Sequence, residues 1–147
     1  MQKMMTQETV RELQCRQVMR RGCIFVKSDA TVSEAIRKMQ TAKVSSLIVE
    51  PRCKGDAYGM VTRKDILGRA VEPGPRRFNF SEGKVFEIMT KPLVTVPPGL
   101  KVKYALRLMK REGVRRLPVF DGKEMIGILC DSDVFKGLRV GPPNHKR

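Results

Sequence analysis

Apolar residues fall along this chain in two kinds of block, short strand-like runs and helical stripes, and the order of the blocks occurs twice. The first stripe is Val32, Ala35, Ile36 and Met39. Its i, i+3, i+4, i+7 spacing predicts a helix with one buried face. Thr31 and Glu34 stand at its start as a capping box, the hydroxyl serving an orphan N–H and the carboxylate reaching back. Cys23-Ile24-Phe25-Val26, Ser46-Leu47-Ile48-Val49 and Tyr58 to Thr62 read as strands, with Pro51 to Asp56 as the hairpin loop between the last two. A second helix follows with Ile66 and Leu67 apolar, and it fades by Pro73.

The same order then returns. Val94-Thr95-Val96 answers Ile24-Phe25-Val26, and Val102, Ala105, Leu106 and Met109 reproduce the stripe. Gly113 suits a helix C-cap. Val114 to Val119 and Ile126 to Cys130 supply the strands, around a shorter loop at Asp121-Gly122-Lys123-Glu124, and Val134-Phe135 opens the last helix. Ahead of each copy lies a matching segment, Cys15-Arg16-Gln17-Val18-Met19 and Val85-Phe86-Glu87-Ile88-Met89. The expected organisation is a flexible N-terminus at 1–8, a repeat at 9–71, a linker at 72–84, a repeat at 85–138 and a flexible basic tail at 139–147. The fold class is α+β, two β-α-β-β-α repeats. A repeat of this size is marginal alone, so the two are expected to pack with pseudo-twofold symmetry into one module, leaving clefts between them.

Composition narrows this picture. Among 147 residues, 41% are hydrophobic but only 5% aromatic, with no Trp and nine Met, so the core is aliphatic. No apolar run is long enough to cross a bilayer and none opens the chain as a secretory signal, so a cytoplasmic protein without membrane contact is expected. The cysteines at 15, 23, 53 and 130 form no C-x-x-C pair, and the single histidine, His145, lies in the tail. That set does not offer a metal site. No nucleophile stands beside a histidine and no phosphate-binding G-x-x-x-x-G-K-[ST] loop occurs, so no catalytic residue is assigned and the chain is not expected to be an enzyme.

Charge opens an alternative. Thirty Lys and Arg against fifteen Asp and Glu give +15, a surface that attracts polyanions. Arg76-Arg77-Phe78-Asn79-Phe80 sets cations beside aromatics. Such a stretch either grips nucleic acid by charge and stacking or tucks its rings under a loop. A nucleic-acid-binding adaptor is therefore the second functional reading.

The candidate chemistry sits at two strand-to-helix corners, Gly59-Met60-Val61-Thr62-Arg63-Lys64-Asp65 and Gly127-Ile128-Leu129-Cys130-Asp131-Ser132-Asp133. At the first, the Thr62 hydroxyl and the free N–H groups of the next turn can hold a phosphate or sugar oxygen. Asp65 supplies two acceptor oxygens to the two adjacent hydroxyls of a ribose, in bonds worth about 1.5–3 kcal/mol each when water is excluded. The same residues also make sense as an N-cap and a first-turn acid with no ligand. The second corner carries Cys130 in place of the hydroxyl, a weak donor and acceptor.

The duplicated unit, Val85-Phe86-Glu87-Ile88-Met89, Arg115-Arg116-Leu117-Pro118-Val119 and the Gly59-x-x-Thr62-x-x-Asp65 corner together resemble a tandem pair of CBS domains, named after cystathionine β-synthase and also called a Bateman module. The resemblance runs over about residues 10–138. It implies a regulatory module that binds an adenosine-containing ligand (AMP, ADP, ATP, S-adenosylmethionine, occasionally NAD), forms a homodimer and signals to an effector protein in trans. By that similarity Thr62 and Asp65 hold ribose and the nearest phosphate, with Arg63 and Lys64 beside them. Phe25, Val26, Val44, Ser45 and Ser46 line the adenine pocket of the first repeat, and Thr95, Val96, Val114 and Pro118 that of the second. Arg115 and Arg116 face phosphates, and Asp133 is the second ribose acid. Because Cys130 departs from the pattern, the first site is expected to be the stronger.

Overall fold

The computed structural model of the chain describes residues 5–74 and 77–141. Six α-helices and two three-stranded sheets are present among the described residues. They fall into two compact units, Cys23–Leu93 (the central unit) and Met1–Gly22 with Val94–Arg147 (the terminal unit).

In the terminal unit, α1 (Gln7–Glu12) is capped by Thr6, whose hydroxyl accepts from the Thr9 N–H. α2 (Cys15–Val18) and β1 (Arg20–Arg21) follow. The central unit holds β2 (Phe25–Val26), α3 (Val32–Ala42), β3 (Ser46–Val49), β4 (Gly59–Thr62), α4 (Arg63–Ala70) and a 3₁₀ turn at Val85–Glu87. The terminal unit resumes with α5 (Val102–Glu112), β5 (Arg116–Phe120), β6 (Met125–Cys130) and α6 (Asp131–Gly137).

The helical stripes do what their spacing predicts. Val32, Ala35 and Met39 are buried on α3, and Val102, Ala105 and Met109 on α5. Fully burying each Val or Met side chain stabilises by roughly 1.5–3 kcal/mol. β6 alternates buried and half-buried residues, the period of a strand with one face inward. All four residues of β3, the central strand of its sheet, are buried. Gly113 ends α5 in the left-handed region at φ 69°, as expected for a glycine C-cap. Lys43 does the same for α3 at φ 56°, a conformation that costs a side-chain-bearing residue roughly 1–2 kcal/mol. Only half of the expected capping box forms at α3: Thr31 accepts from the Glu34 N–H, but Glu34 does not reach back. The backbone there is held from outside instead, Val32 donating to the Gly83 carbonyl.

That outside contact reveals the organisation. The segment preceding each repeat packs onto the other repeat. Cys15 and Arg16 donate to the carbonyls of Leu100 and Pro98, while Val85 and Phe86 donate to those of Ala30 and Ser28. β1 pairs antiparallel with β6, Arg20 opposite Ile128. Thr90 makes the corresponding bridge to Met60 of β4. Each unit is thus the body of one repeat plus the arm of the other.

The glycines that open the two corners are glycines for this reason. A Cβ on Gly59 would stand 3.0 Å from Met89 Sδ and 3.1 Å from the Thr90 carbonyl. On Gly127 it would stand 2.5 Å from the Arg20 carbonyl and 2.8 Å from Met19 Sδ.

One residue from each of the expected flexible ends is held in place. Met5 is buried and bridges Leu138, and Arg139 donates to the Met5 carbonyl. These residues of the expected flexible N-terminus and tail are held by backbone hydrogen bonds and, for Met5, by burial in the core of the terminal unit. Met1 to Met4 and the tail from Pro142, with His145, lie outside the described residues.

Candidate functional site

Each unit carries one corner. In the central unit β2 runs parallel to β3, and β3 pairs antiparallel with β4 so that Ser46 lies opposite Thr62. The Arg63 N–H donates to the Ser45 carbonyl, tying the first residue of α4 back to the neighbouring strand. The Thr62 hydroxyl accepts from the Asp65 N–H at 3.2 Å and donates to Asp65 Oδ2 at 3.0 Å, and the Thr62 N–H donates to the same oxygen at 2.9 Å. Of the two readings of this corner, the capping one is therefore realised in full. It spends one carboxylate oxygen. No hydrogen bond reaches Asp65 Oδ1 among the described residues, and the side chain is half-buried.

The other predicted residues of this unit lie around that corner with different exposures. Val26 and Ser46 are buried, Phe25, Val44 and Ser45 are half-buried, and Arg63 and Lys64 are exposed on the first turn of α4. The Phe25 carbonyl is taken by Lys38 Nζ at 2.6 Å. An open groove of about 620 Å³ runs along Val26, Lys27, Asp29, Glu34, Arg37 and Lys38. It shares only Val26 with the predicted set, and neither Thr62 nor Asp65 lines it.

The terminal unit repeats the backbone and changes the side chains. Arg116 lies opposite Cys130, and the Asp131 N–H donates to the Arg115 carbonyl, matching Arg63 and Ser45. Val96 makes a single parallel bridge to Val119 where the central unit has β2. Val96 and Pro118 are buried, Thr95 and Arg116 half-buried, Val114 and Arg115 exposed. Cys130 caps α6 without any side-chain bond, and burial raises its thiol pKa above the usual value.

Asp133 is buried, and both of its oxygens are occupied. Arg20 Nε donates to Oδ1 at 3.1 Å and Oδ2 at 2.9 Å, and its Nη2 donates to Oδ1 at 2.8 Å. Sequence reasoning did not single out Arg20. The repeat match sets it opposite Thr90, but only the crossing of the arms brings it to the second corner.

The aromatic pair of the linker is turned inward. Phe78 and Phe80 pack against the core of the central unit with ring centres 6.1 Å apart, and the Arg69 guanidinium lies 5.4 Å from the centre of the Phe78 ring. Rings seated in this way are not a platform for bases. Arg76 lies outside the described residues. No cluster of metal-ligating side chains occurs among the described residues, and no described helix is long and apolar enough to cross a membrane.

A strand-to-helix corner with an acid in the first helical turn, built twice on the same backbone pairing, defines a duplicated α+β module. The chain belongs to the CBS-domain family: the family's CBS domain matches residues 15–72 and again 85–140. The structure resembles that of the hexameric CBS-CP12 protein from bloom-forming cyanobacteria, with a TM-score of 0.75 and 37% identity over 84% of this chain and 71% of that one. The mitochondrial CBS domain-containing protein CBSX3 of Arabidopsis thaliana is 31% identical over 118 residues, 78% of this chain and 56% of that protein. The protein MK0525 of Methanopyrus kandleri is 29% identical over 128 residues, 86% of this chain and 63% of that protein. The chain thus spans rather more than half the length of these two curated relatives. Likeness to CBS-domain pairs of this kind suggests a regulatory, ligand-binding module.

Proposed function

We propose that the chain is a regulatory module, not an enzyme, that binds the ribose of an adenosine-containing ligand at the Thr62–Asp65 corner and passes the binding state to a partner protein in trans. AMP, ADP, ATP and S-adenosylmethionine are the candidate ligands. The observation that carries this reading is the half-spent carboxylate of Asp65. Its Oδ2 is fixed by the cap, which orients the group, while Oδ1 has no partner among the described residues. An acceptor that is already positioned loses little freedom on binding a hydroxyl. Exposed Arg63 and Lys64 on the same turn add positive charge for a phosphate. Self-association of the chain is supported by Leu67 of α4 and Phe135 of α6, large apolar residues left exposed at matching positions of the two repeats. The polyanion alternative keeps the charge of +15 as its support, the stacking rings having been withdrawn.

The test is thermal denaturation in the presence of each candidate ligand. A ligand at about 100 times its Kd stabilises by roughly 2.7 kcal/mol, which raises Tm by roughly 5–10 °C in a protein of this size. At least one of the four is expected to do so, and Asp65→Ala to remove the gain. An unchanged gain in Asp65→Ala, or no gain with any of them, would contradict the proposal.

A further inference from the structure

We infer that Arg20 is a latch that withdraws the second corner from ligand binding, so that one chain takes one adenosine ligand, at Asp65, rather than two. This rests on the ribose-binding reading of the Asp65 corner and adds to it a stoichiometry and the residue that sets it. The starting point is an asymmetry within matched backbone. Arg20 pairs with Ile128 in the terminal unit, and Thr90 pairs with Met60 in the central unit. These are the same position of the arm against the same position of the strand that leads into the corner. Thr90 makes no side-chain hydrogen bond among the described residues, and Asp65 keeps Oδ1 unpartnered there. Arg20 reaches the acid of its own corner and takes both oxygens through three hydrogen bonds.

The Asp133 side chain is 7% exposed and that of Arg20 is 65% exposed. The more exposed partner is the cation, which occupies both oxygens of the nearly buried acid, so a sugar reaching that carboxylate would have to displace it. To bind there, two neutral hydroxyls would have to replace a bidentate cation, and charge-assisted pairs between two ions are the stronger partners. Nothing at the cap compensates, since Cys130 makes no side-chain bond at the start of α6. Arg20 thus does internally what a ligand would do at Asp65.

Isothermal titration calorimetry with AMP, and separately with ATP, tests the latch. The wild-type chain is expected to bind one equivalent, Arg20→Thr two, Asp65→Ala none, and the double variant Arg20→Thr/Asp65→Ala one. Two equivalents in the wild type, one retained by Asp65→Ala, or one only in a folded Arg20→Thr would each overturn the latch while leaving nucleotide binding by the chain intact. Binding to neither the wild type nor Arg20→Thr would overturn the ribose-binding reading, and the latch with it. Should Arg20→Thr fail to fold, Asp65→Ala decides alone, because it probes the second corner with Arg20 in place.

Discussion

The two corners share backbone, register and acid, and differ in what the acid holds. At the first, Thr62 caps α4 and takes one oxygen of Asp65. At the second, Cys130 offers no cap and Arg20 takes both oxygens of Asp133. A duplicated sequence thus supports two different electrostatic states from one geometry. One change, Cys130 for Thr62, lies inside the corner motif; the other, Arg20, lies outside it, in an arm contributed by the other repeat. A motif match carried over corner by corner misses this, because the deciding residue is distant along the chain and adjacent only in the fold.

The largest effect that would break the comparison is steric. Gly127→Ala places a methyl 2.5 Å from the Arg20 carbonyl, so the arm must move. Gly59→Ala places it at 3.0 Å from a flexible Met89 sulfur and 3.1 Å from the Thr90 carbonyl. Overpacking of this kind costs about 1–3 kcal/mol, and we expect Gly127→Ala near the upper end and Gly59→Ala near the lower. Urea denaturation of the two variants checks the order; equal losses would mean that the two arms are held alike.

A smaller effect sharpens the contrast at the caps. Cys130→Thr supplies the hydroxyl that α6 lacks and should stabilise by about 0.5–1 kcal/mol, whereas Thr62→Ala should cost about 1 kcal/mol. A loss of stability in Cys130→Thr would show that the second corner cannot accommodate the cap of the first.

The smallest effect concerns how the arm of the central unit is pinned. Lys91 Nζ lies 2.6 Å from Asp56 Oδ1, and no matching ion pair occurs in the terminal unit among the described residues. This bond, followed by the Arg52 N–H, holds the Asp56 carboxyl at about 2, below its ordinary 3.8. The folded state therefore releases this proton more readily than the unfolded state. The resulting stabilisation is complete above about pH 4 and is lost as pH falls from there through about 2. Lys91→Ala should flatten that part of the acid denaturation profile, and an unchanged profile would remove the pair from the account.

Much of this fold was legible in the chain. The stripes on α3 and α5, the strands of both hairpins and the Gly113 cap follow from local periodicity and turn chemistry, which depend on near neighbours. The crossing of the arms was not legible. Cys15 to Met19 and Val85 to Met89 carry an apolar pattern that fits either repeat, and only three-dimensional pairing selects the partner. Gly59 and Gly127 were the available signal, since a glycine in a strand often marks a close backbone approach, but they do not say whose backbone approaches. The candidate site was half legible for the same reason. Thr62 and Asp65 are neighbours on one turn and their cap follows from spacing, while the pairing of Asp133 with Arg20 spans most of the chain.

The central claim is that the Asp65 corner receives the ligand and the Asp133 corner does not. An amide ¹⁵N–¹H correlation spectrum recorded during titration with AMP tests it most directly. The account predicts saturable shifts at the amides of Thr62, Arg63, Lys64 and Asp65, with those of Asp131, Ser132 and Asp133 unmoved. Shifts at Asp131 to Asp133 matching or exceeding those at the first corner, or none at Thr62 to Asp65, would contradict it.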